Sequence, residues 1–382
     1  MIEPRMLELH LAEIGNEWAT ASLNCYSNRK KQYYHQCLGW LFAALMRQKP
    51  ASMNESQRKE LKETLDFFSD SLSYLKNSTI NAVPYEVIHC LRCAMHDWIP
   101  NAEDYIVVTS YGDYSIRYKL ALFDELYERM HTLYGVEFKY RLVQICLPKA
   151  HERNYLCNVA LYHELGHFVE RQSQLHQLIG HLLLRFKVNS EVQAYFPGIE
   201  HERDFVNLQR KYLNYIMEYF ADLFAAQYVG DSLMLYLRYI AGEMEDSQTH
   251  PSTVKRCQLV AEFLHPSGVI SDVLRIISHV TEQITHCRLE RRNEPLPDRE
   301  DFYRMLPCEV ENERQLHSLF AVGWDIWLNL NDEFERFNQI PKAIKLKPLQ
   351  KFNILNNLIE KSINNFIVLK DWREAHERVS AR

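Results

Sequence analysis

Apolar residues recur at three- and four-residue spacing through most of the chain, the period of one face of a helix. Met6–Thr20, Lys31–Arg47 and Glu55–Lys76 all follow it; in the last, Leu61, Leu65, Phe68, Leu72 and Leu75 form one stripe. Asn54 or Ser56 can cap that third helix, and Pro84 suits the first turn of a fourth, Pro84–Trp98. The period changes after Asp104. Tyr105–Tyr111 is β-branched and aromatic, breaks at Gly112-Asp113, and resumes over Tyr114–Tyr118, which predicts a strand or a hairpin. A helix is expected over Lys119–Tyr134, closed by Gly135, and then a strand over Val136–Leu147 that Pro148 stops. Beyond residue 170 the helical period returns over Gln174–Lys187, Phe205–Val229, Leu233–Glu243, Ser252–Leu264 and Ser271–Cys287. Arg288–Arg299 is charged, carries Pro295 and Pro297, and is expected to be a linker or exposed loop; Glu311–Phe337 and Pro348–Val368 follow as amphipathic helices. The pattern predicts an α+β chain that is mainly helical, with one small sheet.

Composition narrows the class. The 382 residues are 47% hydrophobic and 25% charged, the profile of a soluble globular protein, and only 11 glycines argue against a turn-rich all-β fold. The net charge of −6 comes from intermixed acids and bases, so no basic footprint for nucleic acid is present. The longest apolar run, Cys37–Met46, is too short to span a bilayer, and the N-terminal residues show no secretory signal; no membrane association is expected. Nine cysteines scattered through expected helices read as reduced core thiols of a cytoplasmic protein. Cys90 and Cys93 form a C-x-x-C flanked by His89 and His96, but a structural zinc site needs a second such pair and the chain has none.

Chemistry enters at Leu161–Glu170, L-Y-H-E-L-G-H-F-V-E. On a helix, His163 and His167 lie on one face, one turn apart, where both imidazoles can share a metal ion. Glu164 lies one step round, able to touch a water in the site without being a ligand. The flanks, Asn158–Tyr162 and Phe168–Val169, are uncharged, as a buried helix requires. Zinc held by two histidines needs a third protein ligand. Glu218 and Asp222, four apart in the uncharged stretch Met217–Ala226, can supply it: two carboxylates on a buried helix face need a cation to neutralise them. Glu218 is expected to bind zinc, and Asp222 to accept the N–H of a ligand histidine.

H-E-x-x-H followed by E-x-x-x-D resembles the gluzincin metallopeptidases. Glu218-x-x-Ala221-Asp222-x-x-Ala225 is similar to the E-x-x-A-D-x-x-A of the family that includes the CAAX-prenyl and heat-shock membrane peptidases, and Thr249-His250-Pro251-Ser252-x-x-x-Arg256 to its T-H-P-x-x-x-x-R segment. The resemblance runs from Tyr162 to Arg256 and implies a zincin-like core. It also implies that His250 steadies the oxyanion and that Arg256 helps hold the carboxylates near the metal.

The expected organisation is an N-terminal helical region (1–100), a zincin-like metallopeptidase core (101–287), a charged linker (288–300) and a C-terminal helical region (301–382). The expected function is a soluble zinc endopeptidase with His163, His167 and Glu218 as ligands, Glu164 as base, and His250, or else Tyr215 or Tyr228, as oxyanion donor. Its partners would be a protein or peptide substrate and a regulatory protein held by the added helices. The alternatives are a sensor on the same scaffold and a helical interaction protein with a structural metal site.

Overall fold

The computed structural model describes residues 2–77, 85–112, 117–120, 124–148, 153–206, 208–329, 332–341 and 344–380. Its contacts divide the chain into two compact units, 1–88 with 101–152, and 89–100 with 153–382. The small sheet therefore groups with the N-terminal helices, and the H-E-x-x-H helix with the C-terminal ones.

In the first unit, α1 (Pro4–Ala21), α2 (Arg29–Leu45) and α3 (Glu55–Asn77) occur where the period placed them. Asn54 caps α3 reciprocally: its side chain accepts from the Gln57 N–H, and Gln57 accepts from the Asn54 N–H, both at 3.0 Å. α4 (Tyr85–His96) straddles the division; Pro84, expected at its first turn, lies outside the described residues. The strands are β1 (Tyr105–Gly112), β2 (Arg117–Leu120) and, after α5 (Asp124–Tyr134), β3 (Arg141–Pro148). Of the strand or hairpin expected here, residues 113–116 lie outside the described ones, and among the described residues β1 and β2 do not pair with each other. β3 lies between them, parallel to β1 with Tyr105 opposite Arg141, and antiparallel to β2 with Lys119 opposite Gln144. Lys119 and Leu120, assigned to a helix by their period, are thus strand. Gly135 does close α5: at φ +66° its N–H reaches the His131 carbonyl at 2.9 Å. The unit's core gathers Ile14, Leu38, Leu41, Leu65 and Phe68 with Ile106 and Leu142, and the buried Tyr34 hydroxyl bonds Ser71 and Tyr127 at 3.1 Å.

The second unit is helical throughout its described residues: α6 (Val159–Ser173), α7 (Leu175–Arg185), α8 (Ser190–Tyr195), α9 (Arg210–Val229), α10 (Ser232–Ala241), α11 (Thr253–Leu264), α12 (Asp272–Thr285), α13 (Glu300–Tyr303), α14 (Glu313–Asn329), α15 (Glu333–Phe337) and α16 (Pro348–Ser380). The single helix expected over Glu311–Phe337 is two, and α16 runs past its expected end. α9 is the central element, buried continuously from Glu218 to Val229, with α6, α7, α10, α11 and α14 packed around it. A helix surrounded in this way must be apolar on all sides.

The charged segment expected as a linker is tied down at its start. The Arg292 N–H donates to the Gln227 carbonyl at 2.8 Å, and the Asn293 amide to the Tyr228 carbonyl at 3.1 Å. These carbonyls end α9 without partners inside the helix, and the segment satisfies them while remaining partly exposed. Among the described residues no helix is long and apolar enough to cross a membrane.

Candidate metal centre

The site lies wholly within the second unit, where α6 crosses α9. The crossing is close because of two small residues. A β-carbon on Gly166 would stand 2.8 Å from the Ala221 Cα and 3.0 Å from the Phe224 Cβ. With hydrogen at that position the two backbones approach until the His163–His167 face of α6 meets Glu218 on α9. The glycine inside H-E-L-G-H and the alanine inside E-Y-F-A-D are thus two halves of one contact. Sequence reading passed over Gly166, whose only signal is a glycine in the interior of a helix, where it costs stability unless close packing requires it.

His163 Nε2 lies 3.4 Å from Glu218 Oε2, and His167 Nε2 3.4 Å from Glu218 Oε1. The imidazole planes are nearly perpendicular, with centroids 4.6 Å apart. Among the described residues this is the one set of three metal-ligating side chains whose donor atoms converge, all within 4.8 Å of one another. Tetrahedral bonds of about 2.0–2.2 Å put neighbouring ligand atoms about 3.4 Å apart; each of the two imidazoles stands at that distance from one oxygen of Glu218, a different oxygen for each. Glu218 Oε2 is also buried and accepts no hydrogen bond. Two imidazoles and a carboxylate form a donor set suited to zinc, and the residues present fit such an ion. Cys90 and Cys93 are buried on α4 and belong to no such set.

Behind the ligands, Asp222 is fully buried and takes two contacts. His163 Nδ1 lies 2.9 Å from its Oδ1, and Arg256 grips both of its oxygens, Nε to Oδ2 and Nη2 to Oδ1, each at 2.7 Å. Arg256 Nη2 also stands 3.2 Å from Glu218 Oε2. One guanidinium thus spans both carboxylates, a bidentate arrangement that a lysine could not reproduce. Burial alone would raise both carboxyl pKa values. For Glu218 the charge of His167, the nearness of both imidazoles and Arg256 outweigh it and hold the group well below the usual range; for Asp222, Arg256 and then His163 lower it. Burial would lower the His163 pKa, but Asp222 and Glu218 raise it to about 10 in the metal-free chain. The site is built to hold positive charge.

His250 faces the same carboxylate. Its Nε2 is 3.4 Å from Glu218 Oε1, while Nδ1 pairs with the Thr249 hydroxyl at 2.8 Å; the side chain is 44% exposed, on the open side of the site. α9 holds the loop that carries it. The Tyr215 hydroxyl donates to the Ser247 carbonyl at 2.8 Å, the Asn214 amide to the Gln248 carbonyl at 3.1 Å, and within the loop the Ser247 N–H reaches the His250 carbonyl at 2.9 Å. Tyr215 is therefore committed to positioning the His250 loop rather than to donating into the site. Tyr228 is also committed elsewhere: its hydroxyl lies in the core with Trp98 Nε1 and Asp97 Oδ2, both at 3.0 Å. Glu164 is partly exposed and makes no hydrogen bond or ion pair among the described residues.

No protein-family model matches this chain, no curated protein matches its sequence, and no solved structure matches its fold.

Proposed function

We infer that the chain is a zinc-dependent endopeptidase with a gluzincin-type centre on a zincin-like core. The reading is carried by the convergence of His163, His167 and Glu218, with the unpaired carboxylate of Glu164 beside them on the same helix. A zinc ion held there supplies Lewis acidity, polarising a peptide carbonyl and lowering the pKa of water. The protein's own groups supply the rest. Glu164 takes a proton from water in the site and delivers it to the departing amine. Asp222 holds the His163 ring with its proton on Nδ1, so that Nε2 keeps its lone pair for the ion. His250, on the open side, donates to the oxyanion that forms as the carbonyl is attacked. The substrate is an extended segment of a protein or peptide, and the helices added around the core suit a partner that restricts when cleavage occurs.

A structural metal site is the other reading. It would close around its ion with four protein ligands, whereas His250 is half exposed and outside the converging set, and a structural site has no use for Glu164.

The test is a comparison of the zinc-loaded chain with its Glu164→Gln variant, following new N-termini produced in a cell extract. The variant is expected to keep zinc and fold while cleavage falls roughly 10²–10⁴-fold, the usual cost of a lost general base. Identical sets of new termini from the two proteins would contradict the assignment.

A further inference from the structure

α16 packs against α14 and buries side chains as far as Ile367. From Val368 to its end at Ser380 it buries none, and at 1.5 Å per residue this stretch runs about 20 Å. An apolar stripe nevertheless continues along it. Val368, Trp372, Ala375 and Val379 follow one another by four, three and four, the spacing of a single helix face. Val368 is 50% exposed and Trp372 and Val379 are 75% exposed, and the indole makes no ring contact among the described residues. Lys370, Arg373, Glu374 and Glu377 lie on the opposite face, where they line a cleft beside the start of α14 and Lys370 pairs with Glu313 at 2.6 Å. The stripe therefore faces away from α14. A helix end of this length is marginal in water without support, and a run of exposed apolar residues centred on a tryptophan marks a contact surface.

We propose that this stripe pairs with the same stripe of a second copy of the chain, antiparallel, about a two-fold axis. Size decides the direction. In the antiparallel register Trp372 of each copy packs on Ala375 of the other, and Val368 on Val379, so each layer is evenly filled. A parallel pair would put two tryptophans in one layer and two alanines in the next, crowding the first and leaving a gap in the second. Charge agrees with size. Asp371 and Arg378 are exposed, seven residues apart, and flank the stripe on the same side. The two-fold axis sets Asp371 of each copy beside Arg378 of the other, the self-complementary pattern that a symmetric dimer requires. Asp371 makes no hydrogen bond or ion pair among the described residues, and Arg378 pairs with Glu374 of its own helix at 3.0 Å, an exposed contact that contributes little. The inference is independent of the peptidase reading.

The experiment measures the molar mass of the full chain by analytical ultracentrifugation over a range of concentrations. The wild type is expected as a dimer in reversible exchange with monomer. Asp371→Arg and Arg378→Asp each set like charges against one another across the axis, and each should raise the dimer dissociation constant on the order of 10–100-fold. Mixed in equal amounts, the two variants complement each other and should associate about as tightly as the wild type. The mixture also guards against misfolding, because a variant that had lost its fold would not be restored by the other. Trp372→Ala should weaken the dimer about 100-fold or more, as the loss of a central aromatic anchor does. A wild type that is monomeric at every concentration leaves the stripe to a different partner and overturns the proposal. A dimer that ignores both charge reversals, or two variants that fail to associate on mixing, overturns it as well.

Discussion

At the scale of single residues, the centre is an exercise in keeping buried charge satisfied. Glu218 and Asp222 stay ionised in a buried helix face because Arg256 spans both and the histidines complete the set. This gives Asp222 a role separable from that of a ligand. Asp222→Ala removes the carboxylate 2.9 Å from His163 Nδ1 and strips Arg256 of its bidentate partner, so on the proposed reading zinc affinity should fall about 10–100-fold while all three ligands remain. Chelator competition followed by metal analysis measures this, and an unchanged affinity would deny Asp222 any hold on the site. The H-E-x-x-H residues and the E-x-x-x-D pair were legible in the sequence because helix periodicity alone fixes which side chains share a face. The duty of Tyr215 was not. It depends on where the loop from Asp246 to Ser252 folds back, and hydrogen bonds between residues so far apart in the chain leave no period to read.

At the scale of elements, the decisive feature is how closely α6 and α9 approach. Gly166→Ala would force its β-carbon against the Ala221 backbone. Since backbone cannot move aside as a flexible side chain does, the helices must separate, at a cost of about 1–3 kcal/mol. The ligand atoms separate with them. The expected outcome is a lower melting temperature together with weaker zinc binding, seen by thermal unfolding and chelator titration; a variant as stable and as tight as the wild type would show that the helices are not set by this contact. Sequence periodicity placed these two helices well and the strands less so. Strand order cannot be deduced from alternation alone, because a strand that returns after a helix can pair on either side of those already laid down. Here β3 enters between β1 and β2, so that among the described residues the first two strands do not pair with each other. The charged segment after α12 does what its composition does not announce: a backbone N–H and a side-chain amide within it reach the last carbonyls of α9.

At the scale of the whole molecule, the candidate metal group of the second unit is backed by the buried Asp222 and Arg256, so its occupancy should be visible in global stability. In the metal-free chain the His163 pKa is raised to about 10, above its unfolded value of about 6.5. Its contribution to stability is therefore fully present below the unfolded value and is lost as pH rises through about 10. The depressed carboxyls act in the opposite sense, contributing above their ordinary values and failing as pH falls through their folded ones. With zinc on Nε2 the proton is absent and the alkaline loss disappears. The gap in melting temperature between zinc-loaded and chelated protein should accordingly widen between about pH 7 and pH 10, and a constant gap would contradict the proton–metal exchange. All of this stands on the identity of the ligands, and one measurement reaches that directly: the metal content of the purified chain, compared with that of Glu218→Ala. The account predicts about one zinc ion per wild-type chain and its loss in a variant that remains folded. A wild-type chain without metal, or a Glu218→Ala chain that holds it as firmly, would contradict the assignment of His163, His167 and Glu218 as a metal centre.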